Sequence, residues 1–389
     1  MRQQHIVIIG GSFAGLSTAH QILQQAVKTQ AQIKLTLVSR DTHLYWNIAA
    51  PRAVASAALV PDEKLFASIP DGFERARYPK GMFEFVHGTA RGVDVDGKVA
   101  RVDVGGDDDV AAGTKGDIEI GYDVLVLCTG SDTKVATPFK SRGSTEATKK
   151  SLHAYQERVK AARTILVVGA GATGVEVAGE LAFEYGDRKK VILASSSAQV
   201  LPGPERPASV MKTAETQLRS LNVDLRLNTE VRNEQELDDN TWEITLSSGE
   251  ILHVDTYIPT FGVKPNTAFL PGEFLNREGF VQVDEYLRVK GTKDVYAVGD
   301  VSGMESPQAL FAKMQSKYIA KSVTFLATGK NNLVVPYKQF GSAIIGLQIG
   351  RKAGTGHYGS VRLPSFVVSW LRKTLFVEDV PKVVDGTVV

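Results

Sequence analysis

Two stretches of this chain repeat one pattern. In the first, an apolar run over residues 5–9 meets the turn Gly10-Gly11-Ser12-Phe13-Ala14-Gly15, and a helix near 14–28 leads to a second apolar run at 33–38. In the second, Ile165-Leu166-Val167-Val168 meets Gly169-Ala170-Gly171-Ala172-Thr173-Gly174, and a helix through about Tyr185 leads to Val191-Ile192-Leu193-Ala194. Runs of β-branched residues without polar alternation belong to parallel strands covered on both faces. Leu16, Ala19, Ile22, Leu23 and Ala26 recur close to the helical period, so the segment after the first turn buries one face. Each stretch is therefore a βαβ unit, and the chain belongs to the α/β class.

The glycines say what such units are for. In a Gly-x-Gly-x-x-Gly turn the first glycine permits the bend, the second lets backbone approach a pyrophosphate, and the third lets helix pack on strand. The helix amino terminus adds unpaired amides and a positive dipole. Gly169, Gly171 and Gly174 fit throughout, with Thr173 inside the turn. With 36 glycines in 389 residues, roughly 0.3 chance matches are expected, so the strand-turn-helix context has to carry the assignment, and that context is present. The first turn has Ser12 in place of the middle glycine. A serine also comes close to phosphate and donates a hydroxyl, so Gly10, Gly11, Ser12, Phe13, Ala14 and Gly15 are read as a second dinucleotide site. The acid that ordinarily follows about twenty residues on to hold a ribose is missing from both units. After the first stands Ser39-Arg40-Asp41, with Ser39 and Arg40 as candidate nucleotide contacts and Asp41 as a substitute acid. After the second stands Ser195-Ser196-Ser197, which leaves both NADH and NADPH open. The expected fold is two Rossmann-like, doubly wound dinucleotide-binding domains.

At 389 residues the chain exceeds the roughly 250–300 over which one core keeps growing, so more than one domain is required. The pattern divides it into a discontinuous domain of residues 1–145 and 251–335, a second of 146–250, and a small α+β carboxy-terminal cap of 336–389. Residues 84–127 read as short alternating strands around Gly105-Gly106-Asp107-Asp108-Asp109. This is a solvated hairpin loop without the spacing glycine and closing glutamate of a calcium loop. Residues 222–262 alternate strands and turns, Val295-Tyr296-Ala297-Val298 forms a buried strand, and a helix follows near 307–327. The formal net charge of +2 and the absence of long like-charge runs offer nothing for a nucleic-acid partner. The single cysteine, Cys128, excludes an internal disulfide, a Cys-x-x-Cys pair and a multi-cysteine metal site, and it fits a reducing compartment. No metal site is expected. The amino terminus lacks a signal pattern, Arg2 excludes myristoylation, and no run is long enough to span a membrane. A cytoplasmic location is expected, with peripheral contact to an intracellular membrane left open.

Five motifs stand in a recognisable order: Ile8-Ile9-Gly10-Gly11-Ser12-Phe13-Ala14-Gly15, Tyr45-Trp46-Asn47-Ile48-Ala49-Ala50-Pro51-Arg52, Leu125-Val126-Leu127-Cys128-Thr129-Gly130-Ser131, Val168-Gly169-Ala170-Gly171-Ala172-Thr173-Gly174-Val175-Glu176 and Val295-Tyr296-Ala297-Val298-Gly299-Asp300. In these the chain resembles the two-dinucleotide-binding-domain flavoproteins, and among them the apoptosis-inducing factor homologues of the ferroptosis suppressor type (AMID-like). The resemblance implies a glutathione-reductase-like architecture, FAD on the first unit, NADH or NADPH on the second, and a carboxy-terminal region beside the flavin. It makes Asp300 the acceptor for the flavin's ribityl hydroxyls, and Thr129-Gly130 a close backbone approach to FAD. Gln308 and the amide of Ala309 become candidates for the flavin's pyrimidine edge, while Arg52 and Gly262 count among the cofactor contacts. Glu176, with Glu180 one turn on, is placed where nicotinamide and flavin meet, and Lys134 on the active-site side. Lys373 and Phe376 fall near a functional lysine and phenylalanine of the family. The ordinary alternatives are a turn cap for Asp300, surface positions for Glu176 and Lys134, and core packing for Tyr45 and Trp46.

Cofactors carry the chemistry of such a protein, so no protein nucleophile is needed. Disulfide reductases and sulfide:quinone oxidoreductases of this fold use active cysteines, which one cysteine cannot supply, and no monooxygenase motif lies between the turns. The reading is an FAD-dependent NAD(P)H oxidoreductase delivering electrons to a small acceptor, a quinone in the first place and otherwise oxygen. The alternatives are a dedicated biosynthetic oxidase or reductase for one small molecule, and a redox-controlled signalling or nucleic-acid-binding flavoprotein. The tail from Leu363 to Val377 mixes large apolar residues with Arg372-Lys373, which suits either a membrane surface or packing on the flavin domain. Oligomeric state is left open.

Overall fold

A computed structural model describes residues 2–105, 116–203, 206–340 and 344–389. The aspartate-rich insertion therefore lies, from Gly106 onward, outside the described residues. Strand Gln4–Ile9 runs parallel to Ile33–Ser39 on one side and Val124–Leu127 on the other, and Val295–Ala297 extends the sheet beyond Val124–Leu127. The four residues of Val124–Leu127 are all buried, which explains their unbroken apolar sequence. Strand Phe83–Asp94 serves two sheets: residues 83–87 pair in parallel with Ile33–Ser39, and residues 88–94 pair antiparallel with Val99–Val104. Helices Phe13–Thr29 and Ala309–Ala327 pack along one another on this sheet, the latter starting two residues beyond the expected 307 with Gln308 at its cap.

In the second unit Thr164–Val168 lies between Lys190–Ala194 and Thr256–Pro259, with Asp224–Arg226 outermost, all parallel. Three antiparallel strands, Val231–Glu236, Trp242–Leu246 and Ile251–Val254, close one face through Ile244, Leu246 and Val254 packed on Leu166, Val168 and Ile192. Residues 251–259, expected in the first domain, thus pair within the second. The alternating pattern of 222–262 is one continuous excursion that ends in a core strand of the sheet it left.

The tail forms hairpin Ile344–Ile349 with Ala353–Tyr358, the short strand Val361–Arg362, and helices Ser365–Leu371 and Val380–Val384. Two glycines seat it. A Cβ on Gly179 would stand 2.9 Å from Gly350 N and one on Gly72 2.2 Å from Val384 O, so the cap touches a helix of each unit at backbone distance.

Candidate functional site

The two turns are built alike. Gly10 and Gly169 have φ of +115° and +104°, conformations that favour glycine. A Cβ on Gly15 would lie 1.7 Å from Gly10 O, and one on Gly174 1.8 Å from Gly169 O, so helix and turn meet without room for a methyl group. Ser12 and Gly171 occupy the same place, the N-caps of Phe13–Thr29 and Ala172–Tyr185, both in extended backbone that any residue adopts. Nothing stands within 4 Å of a Cβ built on Gly171, and the same holds for Gly130, whose φ is +63°. Open space at a helix amino terminus is what a pyrophosphate requires.

Around the first turn, Gly299 brings its strand end to Ala14, since a Cβ there would lie 3.0 Å from that of Ala14. This carries Asp300 toward the turn, where its Oδ2 accepts from Ser131 Oγ at 2.8 Å and Lys140 Nζ at 2.9 Å. Thr129 Oγ1 donates to Asn266 O at 2.7 Å and Asn266 Nδ2 returns a bond to Thr129 O at 2.9 Å, which fixes the Thr129-Gly130 backbone. Ser39 is buried at the end of the second strand, its Oγ 2.5 Å from where a Cβ on Gly11 would be. Arg40 Nη2 donates to Ser141 O at 3.3 Å. Asp41 accepts from Ser141 Oγ at 2.8 Å, and burial pushes its carboxyl above the usual range. Phe13 packs with its ring centre 5.1 Å from that of the buried Trp46 and tilted 51° to it, and the Trp46 indole N–H donates to Leu375 O at 2.8 Å; Tyr45 and Trp46 are core aromatics.

From the second turn, helix Ala172–Tyr185 presents Glu176, Glu180 and Glu184 along one face. Each meets an arginine from elsewhere. Arg372 Nη2 donates to Glu176 Oε1 at 2.8 Å, and Arg52 Nε and Nη2 donate to Glu180 Oε1 at 2.9 and 2.7 Å. Glu184 pairs with Arg351. Burial pushes the Glu176 carboxyl upward while the Arg372 guanidinium draws it back.

The geometry gives several of the expected contact residues protein partners that the sequence does not announce. Arg52, expected along the flavin, is 6% exposed and gives its donors to Glu180, Gln348 and the Lys373 carbonyl. Lys373 itself points outward; the cation that reaches Glu176 is Arg372, one residue earlier, with its guanidinium 6.0 Å from the centre of the Phe376 ring. Lys134 is exposed, and Gly262, with φ of +73°, makes room for its stem: a Cβ there would lie 2.8 Å from Lys134 Cδ. Lys140, Arg351 and Gln348 were not foreseen. The signal that could have announced the arginines is the Glu176, Glu180, Glu184 spacing, because three acids on a helix face that is otherwise apolar demand cations.

Two βαβ units, each with a bent glycine and an open helix amino terminus, define a protein of the two-nucleotide oxidoreductase class. The family model described as pyridine nucleotide-disulphide oxidoreductase matches residues 4–317, and the chain belongs to that family. It is 53% identical over 385 residues to Oxidoreductase ptaL of Pestalotiopsis fici, covering 99% of each chain. It is 26% identical over 362 residues to human ferroptosis suppressor protein 1, covering 90% of this chain and 88% of the relative. Among solved structures, NDH2 from Plasmodium falciparum in complex with NADH superposes with a TM-score of 0.76 at 15% identity, covering 99% of this chain and 96% of that one, which is a likeness of fold. The cofactors are FAD and NADH or NADPH, and the residues present fit them: the cradle at Gly171 is clear of side chains, and Asp300 offers a carboxylate beside the first turn. Among the described residues no helix is long and apolar enough to cross a membrane.

Proposed function

We propose that this oxidoreductase takes electrons from NADH or NADPH and delivers them to a small acceptor of the quinone class. The observation that carries this reading is Cys128. It is the only cysteine of the chain and is 3% exposed, and burial pushes its thiol up to about 12. The disulfide relay in the family's name needs two thiols with accessible thiolates. One buried thiol cannot serve as such a relay, which favours a separate small molecule as the acceptor.

When bound, FAD and nicotinamide supply the hydride and electron chemistry. The chain's own residues position and polarise. Gly171 and the amides that follow cradle one pyrophosphate at a positive helix end, and Gly10 to Gly15, with the Ser12 hydroxyl, hold the other. Thr129 and Gly130 give close backbone approach on the flavin side. Asp300, held by Lys140 Nζ at 2.9 Å and Ser131 Oγ at 2.8 Å, would accept from hydroxyls of the bound dinucleotide. The Ala309 amide and Gln308, at the start of a long helix, favour negative charge beside them. Glu176, oriented by Arg372 at 2.8 Å, would accept an N–H from the carboxamide of a bound nicotinamide.

The acceptor's route is suggested by the tail. Residues 351–377 contain five Lys or Arg and no acid; Arg351 and Arg372 are taken up by Glu184 and Glu176, Lys352, Arg362 and Lys373 are exposed, and helix Ser365–Leu371 leaves Phe366 and Trp370 each 74% exposed. Exposed aromatics one turn apart beside basic side chains suit a lipid surface carrying anionic headgroups, where quinones reside. The purified protein should be yellow, bleach anaerobically with NADH or NADPH, and be reoxidised fastest by quinones in a panel with oxygen and one-electron acceptors. Loss of colour with neither nicotinamide, or indifference to every quinone, overturns the reading. Binding to anionic but not neutral vesicles that is lost in Phe366→Ser/Trp370→Ser tests the lipid contact separately.

A further inference from the structure

We infer that Arg52 is a positioning residue of this reaction: it seats residues 372–376 of the tail against the helix Ala172–Tyr185, so that Arg372 can hold Glu176. The last step, the use of Glu176 toward nicotinamide, rests on the function proposed above; the seating rests on geometry alone.

One guanidinium joins four segments. From helix Ala50–Ala55 of the first unit, Arg52 Nε and Nη2 reach Glu180 Oε1 on the second unit's helix at 2.9 and 2.7 Å. Nη2 also donates to Gln348 Oε1 on the hairpin at 2.9 Å, and Nη1 to Lys373 O in the tail at 2.8 Å. Only a planar fork serves acceptors in so many directions, which a lysine ammonium on a flexible stem does not reproduce. Among the described residues Glu180 Oε2 has no hydrogen-bond partner, so Arg52 alone offsets that buried charge. For stability such a pair is a poor choice beside an apolar one of equal volume. What it adds is a common anchor for the helix, the hairpin and the tail segment where they meet.

The piece that needs securing is the tail. Residues 372–376 form a turn segment, and within it Leu375 and Phe376 hold φ of 52° and 58°, a left-handed conformation that side chains disfavour. Consecutive residues stay in that region when their surroundings over-determine them. Besides the turn's local bonds and the buried Leu375, three bonds tie it to distant parts of the chain: Arg52 to Lys373 O at 2.8 Å, Trp46 Nε1 to Leu375 O at 2.8 Å, and Arg372 to Glu176 at 2.8 Å. With the first removed, the turn relaxes and Arg372 loses its line to Glu176.

Removing Arg52 alone strands Glu180, so the informative variant is Arg52→Gln/Glu180→Gln, which buries no lone charge. In that protein, without nicotinamide, amide hydrogen exchange over 370–377 should accelerate tenfold or more, the scale of one lost charged hydrogen bond. In the FAD-loaded protein, the NADH or NADPH concentration that half-saturates anaerobic flavin reduction should rise by a similar factor, to the value of Arg372→Gln. Adding Arg372→Gln to the double variant should raise it no further, since both act through one contact. Wild-type exchange and half-saturation in Arg52→Gln/Glu180→Gln, or effects that multiply with Arg372→Gln, overturn the inference. A wild-type protein that holds FAD but is reduced by neither nicotinamide overturns instead the proposed function and the role given to Glu176, while the exchange measurement still decides whether Arg52 seats the tail.

Discussion

The turn at residues 10–15 and the turn at 169–174 share one backbone and differ in how they clear space. Both first glycines are bent into positive φ, and both third glycines face a carbonyl at under 2 Å from a built Cβ. The middle position is different in kind. Ser12 and Gly171 have extended backbones, φ of −108° and −70°, so neither needs glycine to bend. Glycine at 171 leaves an open cradle, and serine at 12 fills part of it with a hydroxyl. Gly11 and Ala170 differ for another reason: Ser39 Oγ stands 2.5 Å from where a Cβ on Gly11 would sit, whereas Ala170 is accommodated in the core. A motif of three glycines thus combines two backbone requirements with one requirement for space, and only the last tolerates exchange.

The comparison breaks most visibly at the third glycines. Gly15→Ala and Gly174→Ala should each cost more than about 3 kcal/mol, because the clash is with backbone that cannot swing aside. Gly15→Ala should lose the yellow colour, and Gly174→Ala should keep it while losing nicotinamide-driven bleaching; near-wild-type melting of either variant contradicts the parallel drawn between the turns. Acid comes next, and it separates the units. Burial lowers His20, on the helix after the first turn, to about 4. Below its ordinary value of 6.5 the unfolded chain takes up a proton that the folded chain refuses. The stability is therefore present above pH 6.5 and lost as pH falls toward 4, by up to about 3 kcal/mol. In and beside the second unit, the side chains of His153 and His253 are 53% and 65% exposed. Flavin release on acidification should precede loss of the second unit's structure, and His20→Gln should shift that release to lower pH; an unmoved midpoint removes His20 from the account.

Exchange at the middle position should have a smaller effect. Gly171→Ser should weaken nicotinamide binding by a few-fold and Ser12→Gly should change FAD affinity less, with melting temperatures unaltered, since both backbones are already extended. A collapse of either protein would show that the position bends after all. The smallest effect belongs to Cys128→Ala: turnover with quinones should be unchanged and stability reduced by about 1–2 kcal/mol for the lost packing. A marked fall in turnover there would restore thiol chemistry to the mechanism.

Much of this comparison was already legible in the residues. The strands at 5–9 and 165–168, the turns, and the helices behind them follow from local pattern, because a glycine conformation and a helical period involve only neighbours in the chain. Strand Thr256–Pro259, which the sequence pattern groups with the first domain, pairs in the second for the opposite reason: it lies some ninety residues from its partner Thr164–Val168, and its apolar residues would suit either sheet. The basic pair in the tail is visible in the sequence, yet the family resemblance points to Lys373, whereas Arg372 is the residue that meets Glu176. Which of two adjacent basic residues turns inward depends on how the tail lies against helix Ala172–Tyr185, where Glu176 takes Arg372, and neither residue type advertises it.

The sequence by itself determined that two nucleotide cradles exist, where their glycines stand, and that a single cysteine leaves no thiol relay. These are statements about backbone freedom and composition, and they need no knowledge of what lies across the molecule. Only the tertiary structure decided that Lys140 answers Asp300, that Arg372 answers Glu176, and that Arg52 reaches both the tail and Glu180. A buried charge takes whichever opposite charge the packing of distant helices brings within 3 Å, and that choice is settled by how the two units and the cap come together.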